Sequence, residues 1–278
     1  MTYKTILVHL TDKRRAEALL EPAMHLATRN NAHLIGMHIY ASLPAPPIAV
    51  PYATKILGSA VAFERVETEE ISAAFTRMTA NQPFVAEWRA LKVPHVDLAS
   101  VVLDHGRAAD LIIAAQTDPD WDLSPLMDFP ERLALESGRP VLVVPYVGRY
   151  PEIGRNVVIA WKATREAARA AFDSLPILAQ AEKVQVLEVR ERRDDGASLA
   201  PDPTIAASLA RHGIKATVRR SIATDTSVGN EILSRLADAD ADLLVMGAYG
   251  HSRMREFVFG GATRHIARHM TVPTLFSH

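Results

Sequence analysis

The residues best suited to chemistry lie near the end of the chain. A short apolar run, Asp242–Gly247, leads into a segment whose glycines, Gly247, Gly250 and Gly260, fall as G-x2-G-x9-G. Glycine reaches positive φ without steric cost and lets backbone N–H groups approach an anion closely. After them the apolar spacing of Thr263, Ile266, Ala267 and Met270 predicts a helix. Its N-terminus, near Gly261, would add unpaired N–H donors and a partial positive charge. A polyphosphate fits such a place, and His251, Arg253, Arg255 and Arg264 would surround it with positive charge. The alternative is that these glycines only make tight turns and close helix–sheet contacts.

The elements that would position this loop come in two matching sets. Ala109–Ala115 reads ADLIIAA and Ala241–Gly247 reads ADLLVMG. Proline-led runs follow, RPVLVVPY and VPTLFSH, with Asp110 to Pro140 spanning 30 positions and Asp242 to Pro273 spanning 31. Thr5–Leu10 and Asn156–Trp161 form another matching pair, each followed by a helical pattern. Duplication accounts for this better than chance.

Each half is predicted to run strand–helix four times and to end on a strand. The first-half strands lie near Thr5–Leu10, His33–Ile39, Phe84–Leu91, Asp110–Ala115 and Pro140–Pro145. Those of the second half lie near Asn156–Trp161, Val184–Val189, Ala216–Ser221, Asp242–Gly247 and Pro273–Phe276. Alternating β and α, with strands apolar on both faces, predicts an α/β protein of two tandem Rossmann-like domains. Each would be a five-stranded parallel sheet with helices on both faces. The predicted domains are 1–147 and 148–278, with Val147–Arg155 as linker. In the second half Ala167, Ala171, Leu175 and Leu178 share a helix spacing, with Thr164 as its N-cap. Ligands of such sheets sit beyond the carboxyl ends of the strands, at the switch point. The stretch Ala41–Ala60, with four prolines, reads as a long excursion, either a surface loop or a lid.

Composition narrows the function. Lys plus Arg is 31 against 32 for Asp plus Glu, so no basic excess supports nucleic-acid binding. There is no cysteine, which removes disulfides, thiolate metal sites and Cys nucleophiles and fits a reducing compartment. No run approaches the ~18–20 apolar residues of a membrane span, and the N-terminus reads as a first strand and not as a signal peptide. A cytoplasmic protein is expected.

The halves differ at the site. Positions of the first half equivalent to the glycines read Ala115, Asp118 and Met127 or Asp128. Asp118, Asp120, Asp122 and Asp128 would repel phosphate there, so the N-terminal half is expected to bind no nucleotide. The D-x-D-x-D spacing lacks the glycine and distal Glu of a calcium loop. Asp12 reads as the N-cap of the first helix. His33, His38, and the i, i+4 pair His265 and His269 have no evident third metal ligand; hydrogen-bonded or solvated histidines are expected. No nucleophile elbow and no P-loop lysine motif occurs, so efficient phosphoryl transfer has no visible machinery.

The run DLLVMGAYGHSRMREFVFGGATRHIARHMTVPTLFSH resembles the C-terminal signature of the universal stress protein family. The resemblance is specific over Asp242–His278 and extends to both halves in architecture. It implies a stress-response regulatory protein that binds ATP or a related nucleotide, with Mg as companion ion, in its C-terminal domain. The implied site comprises Gly247, Gly250, His251, Arg253, Gly260, Gly261, Ala262, Thr263, Trp161, Lys162 and Val189. Two departures stand out. The family has a hydroxyl residue where Gly261 stands, although Thr263 is two positions on. Its ATP-binding members carry an Asp near the adenosine where Lys162 stands. Lys162 would reach a phosphate, or be a plain solvated strand-end charge. It would not replace a carboxylate accepting from base or ribose. A slow nucleotide hydrolase using the same loop, and a nucleotide-free protein-interaction module, remain as alternatives. The resemblance also implies pairing of the last strands, Val141–Val144 and Thr274–Phe276, as an intramolecular pseudo-dimer or in a homodimer, with an unidentified protein partner.

Overall fold

The computed structural model describes residues 2–41, 66–93, 97–121, 124, 128–191, 204–224, 226–248 and 261–278. The Pro-rich excursion lies almost wholly outside the described residues.

Short runs rich in Val, Ile and Leu form ten strands. In chain order they are β1 (Thr5–His9), β2 (His33–Ala41), β3 (Ala86–Val93), β4 (Leu111–Ala115), β5 (Val141–Val144), β6 (Asn156–Ala160), β7 (Lys183–Glu191), β8 (Ala216–Ala223), β9 (Leu243–Gly247) and β10 (Thr274–Ser277). The helices among the described residues are α1 (Lys13–Asn30), α2 (66–79), α3 (Leu98–Gly106), α4 (Pro130–Glu136), α5 (Arg165–Asp173), α6 (Leu175–Leu178), α7 (Thr204–Arg211), α8 (Val228–Asp238) and α9 (Gly261–His269).

The strands form one sheet, ordered β3-β2-β1-β4-β5-β10-β9-β6-β7-β8. Each half therefore contributes five parallel strands in the same order, first strand in the middle. The predicted pairing of last strands is present inside this single chain. It is antiparallel, with Thr274 opposite Val143, Leu275 opposite Leu142 and Phe276 opposite Val141. Two five-stranded sheets become a continuous sheet of ten, related by a local two-fold axis at the β5–β10 seam.

Alternation along the strands builds a core on each face. Ile6, Val8, Val157 and Ile159 point to the face covered by α1, α2, α5, α6 and α7. Leu7, Val158, Leu244 and Phe276 point to the face covered by α3, α4, α8 and α9. Helices thus cover both faces, as the strand pattern predicts.

Local chemistry sets the element ends. Asp12 caps α1 by accepting from the N–H groups of Arg14 (2.6 Å) and Arg15 (3.3 Å). Thr164 caps α5. The single helix expected from Ala167 to Leu178 is two, α5 and α6, meeting at Ser174. Pro176 lacks the N–H that a continuous helix would need and sits instead in the first turn of α6. All four expected positions are nevertheless buried.

The repeated Ala-Asp pair has a structural reason. The Asp110 carboxylate accepts from the backbone N–H groups of Lys4 (2.7 Å) and Thr5 (3.0 Å) at the start of β1. Asp242 accepts from Gly154 (2.9 Å), Arg155 (2.9 Å) and Asn156 (3.2 Å) at the start of β6. In both halves one carboxylate locks the fourth strand to the first.

Candidate functional site

At the C-terminal half's switch point the carboxyl ends of β6 and β9 lie side by side, with Ala160 opposite Met246. Trp161 follows β6, half-buried, its N–H donating to Leu187 O at 2.8 Å. Lys162 is exposed, and its carbonyl accepts from Thr164 N–H at 2.6 Å. Val189 is half-buried on β7, two residues past the last β7 residue paired with β6. Gly261, Ala262 and Thr263 are the first residues of α9. The structure thus brings Trp161, Lys162, Val189, Gly247 and the start of α9 to the same end of the sheet. Gly250, His251, Arg253, Arg255 and Gly260 lie outside the described residues.

Gly247 ends β9 under the first turn of α5. A Cβ added there would meet Ala167 N and the Glu166 carbonyl carbon, both at 2.5 Å. Those atoms are backbone and cannot turn aside. At this glycine the close helix–sheet contact is what the structure shows, and it brings the α5 N-terminus onto the strand end. Gly261 differs: it is exposed, and no described atom lies within 4 Å of a Cβ built on it. Among the described residues nothing crowds the place of the family hydroxyl. The described part of α9 begins at Gly261, on the side of the sheet from which the glycine segment enters.

Charge near the site is mixed. Lys162, Arg165 and Arg264 are exposed. Glu166 is buried in the first turn of α5 and ion-paired with Arg165. Burial pushes the Glu166 carboxyl up, but Arg165, a backbone donor and Thr164 outweigh it and hold it below the usual range.

Comparison with known proteins agrees with this geometry. The model of the universal stress protein family matches residues 155–278. The match lies within the C-terminal half, which is similar to that family over nearly its whole length. In overall shape the whole chain is similar to a universal stress protein from Archaeoglobus fulgidus DSM 4304. The TM-score is 0.68 at 15% identity, over 98% of this chain and 95% of that one. It is also similar to a functionally unknown protein from Pseudomonas aeruginosa PAO1, with a TM-score of 0.53 at 15% identity, over 99% and 92%. Identities this low speak for the fold alone. None of the curated proteins matches the chain.

The N-terminal half repeats the universal stress architecture but fills the equivalent switch point with its own side chains. Arg15, on α1, is 8% exposed. Its NH1 donates to the Gln116 carbonyl at 2.9 Å and lies 3.4 Å from Asp128 Oδ2. The same carboxylate oxygen accepts from Ser124 Oγ at 2.6 Å, and Ser124 Oγ accepts from Asp118 N–H at 2.7 Å. Asp128 thus differs from the expected anion-repelling surface charge: it is buried, facing an arginine. Burial pushes its carboxyl up to about 6, against the hydrogen bond from Ser124, the charge of Arg15 and the nearby Thr11 hydroxyl. Asp118 accepts from Asp120 N–H at 3.0 Å, a local turn. Asp122 lies outside the described residues.

Four buried polar atoms around this cluster have no hydrogen-bond partner among the described residues: His9 Nε2, Thr11 Oγ1, Arg15 NH2 and Asp128 Oδ1. His9 stacks on Phe129 with centroids 5.1 Å apart. Burial, and then His38, pull its pKa down to about 3, so the ring is neutral near pH 7.

His33 and His38 have ordinary partners, whereas His265 Nε2 is buried with no hydrogen-bond partner among the described residues. His38 Nδ1 lies 2.7 Å from Leu10 O, and His33 Nε2 lies 3.1 Å from Glu87. The His265 and His269 rings pack tilted at 44°, with centroids 4.6 Å apart. No group of three or more His, Asp or Glu with metal-binding geometry occurs among the described residues. No helix among them is long and apolar enough to cross a membrane.

Sequence reading missed the Arg15–Gln116–Ser124–Asp128 cluster. Arg15 carries no sign of burial in a helix start that reads KRRAE. The one usable signal was Gln116, a polar residue directly after the apolar run of β4.

Proposed function

We propose that the chain is a stress-response regulatory module that binds ATP or a related nucleotide at the switch point of its C-terminal half. The observation that carries the reading is the end of the β6–β9 pair. The described part of α9 begins there with an exposed Gly261, directly after the glycine segment of a family-matched region. A helix start turns the positive end of its dipole towards an anion, which suits phosphate. Trp161 and Val189, both half-buried at the same end, offer apolar surface for a base. Gly250, His251, Arg253, Gly260, Ala262 and Thr263 complete the proposed set, with Mg as companion ion. Binding would favour one conformation of the α9 region, and a protein partner would read that state. In this reading the protein is cytoplasmic, and the N-terminal half, its switch point filled by Arg15 and Asp128, takes no nucleotide.

A second reading has its own observation. Lys162 is exposed where the resemblance places an adenosine-contacting carboxylate, and Gly261 offers no hydroxyl. Both suit a protein-interaction module that has no nucleotide.

The deciding experiment is to purify the protein natively, denature it and identify what is released, then repeat with Gly250→Val. ATP or ADP near one per chain, lost in the variant, supports a single C-terminal site. Two per chain would refute the claim about the N-terminal half. An empty protein that also ignores added nucleotide would favour the interaction module.

A further inference from the structure

We propose that Gln116, a residue of the N-terminal half, is a positioning residue for the C-terminal candidate site: its side chain holds α9, and its backbone ties that hold to the buried Arg15–Asp128 pair. The inference rests on the proposed nucleotide site for its functional meaning, but its physical content is independent of it.

Gln116 follows β4 and is 1% exposed. All its polar atoms are used. Its backbone N–H donates to Val144 O at 2.8 Å. Its backbone carbonyl accepts from Arg15 NH1 at 2.9 Å. Its Oε1 accepts from Tyr146 N–H at 3.1 Å, and its Nε2 donates to Ala267 O at 2.9 Å. The last of these crosses between the halves, over 151 residues of sequence.

Ala267 lies in the last turn of α9, where carbonyls lack the N–H of a following turn. Gln116 therefore supplies, from the other half, a C-terminal cap for the helix whose N-terminus opens at the candidate site. The position equivalent to Gln116 in the C-terminal half, after β9, is Ala248, whose N–H donates to Ser277 O. Alanine has no side-chain donor, so the cap runs one way, from the N-terminal half to α9.

The cap is anchored firmly. A buried side chain with every polar atom bonded has one geometry, and a buried polar network with unmet groups is costly. Arg15 fixes the carbonyl of Gln116, Asp128 lies against Arg15, and Ser124 against Asp128. The side chains that fill the N-terminal switch point thus serve the other half, because they make their own half the fixed frame against which α9 is held.

The test is amide hydrogen exchange on the full chain, comparing wild type with Gln116→Met, which keeps the volume, and Gln116→Asn, which stays polar but is too short to reach Ala267. Loss of one buried bond predicts local opening of α9 about three- to tenfold more often, read as faster exchange in peptides covering 261–272. Exchange in β6 and α1 should stay as in wild type. ATP titrated into the same variants should bind about three- to tenfold more weakly. Unchanged α9 exchange in a folded Gln116→Asn would overturn the proposal. So would acceleration spread evenly over all elements in both variants, which would mean global destabilisation. If wild type takes up no ATP while α9 still loosens in the variants, the nucleotide reading fails and the hold of Gln116 on α9 stands.

Discussion

Two glycines of one loop make opposite demands on their positions. Gly247 is wedged under backbone atoms of α5 at 2.5 Å. Gly247→Ala should therefore shift α5 and cost about 1–3 kcal/mol, the usual range for overpacking, read as a lower midpoint in thermal or urea unfolding. A wild-type midpoint would show that α5 yields freely. Gly261 is exposed and meets no other described residue, so Gly261→Ser should leave stability nearly unchanged. By adding a donor at the α9 N-terminus it should tighten ATP about tenfold, as a hydrogen bond to a charged group does; titration calorimetry reads it. Two titrating groups of the N-terminal half give a pH signature of opposite signs. His9, with its pKa lowered to about 3, resists the proton that the unfolded chain takes near 6.5. Its contribution is present above pH 6.5 and is lost as pH falls towards 3. Asp128, raised from 3.8 to about 6, takes its proton first in the folded state, so its contribution grows as pH falls from 6 towards 4. The midpoint of His9→Phe relative to wild type should accordingly rise on acidification below pH 6.5. That of Asp128→Asn should fall below pH 6. Parallel curves for wild type and either variant would remove that group from the account.

Among the elements, the strand starts are held by carboxylates, and this is testable on both halves. Asp242→Ala leaves three backbone N–H groups at the head of β6 without their acceptor, and Asp110→Ala leaves two at the head of β1. Each should cost about 1–3 kcal/mol, read from urea midpoints, and Asp242→Ala should cost more. Equal, negligible losses would show that water replaces the carboxylates. Much at this scale was legible in the sequence. Strand positions followed from apolar runs such as Val141–Val144 and Leu243–Gly247, because a strand covered on both faces must be apolar throughout. The caps Asp12 and Thr164 were legible because a short polar side chain before an apolar period has one efficient use. The break at Ser174 was missed because apolar spacing runs unbroken across Pro176, and a proline in a first helical turn leaves that spacing intact. The Arg15–Asp128 pair was missed for a different reason. Its partners are over a hundred residues apart, and an arginine among charged neighbours reads as solvated until the sheet brings Gln116 beneath it. For the candidate site, Gly247, Gly261, Lys162 and Trp161 were brought to one end of the sheet, as the switch-point rule implies. Gln116, which reaches α9 from the other half, left no periodic trace.

For the whole molecule, the seam between the halves governs assembly. β5 and β10 are buried along their whole lengths, and each gives the other its missing neighbour. Polar contacts reinforce the seam at a distance. Arg29 donates to Gln180 Oε1 at 2.8 Å and to its carbonyl at 2.6 Å. The Tyr3 hydroxyl donates to Asp173 O at 2.7 Å, and His25 Nε2 lies 3.1 Å from Ile153 O. The sheet's two outer strands, β3 and β8, are less buried than the strands at the seam. An unpaired, apolar strand edge seeks another, and a two-fold axis lets a strand pair antiparallel with its own copy. A fragment of residues 148–278 would therefore expose β10 and meet a second copy through it. Light scattering after gel filtration should give twice the fragment mass, and Phe276→Lys should return it to a monomer or leave it insoluble. The full chain with the same Phe276→Lys should open its seam and lose thermal stability, because a charge would replace a side chain that is 3% exposed. A fragment that stays monomeric with β10 ordered would show that the seam joins the halves without being needed to complete either.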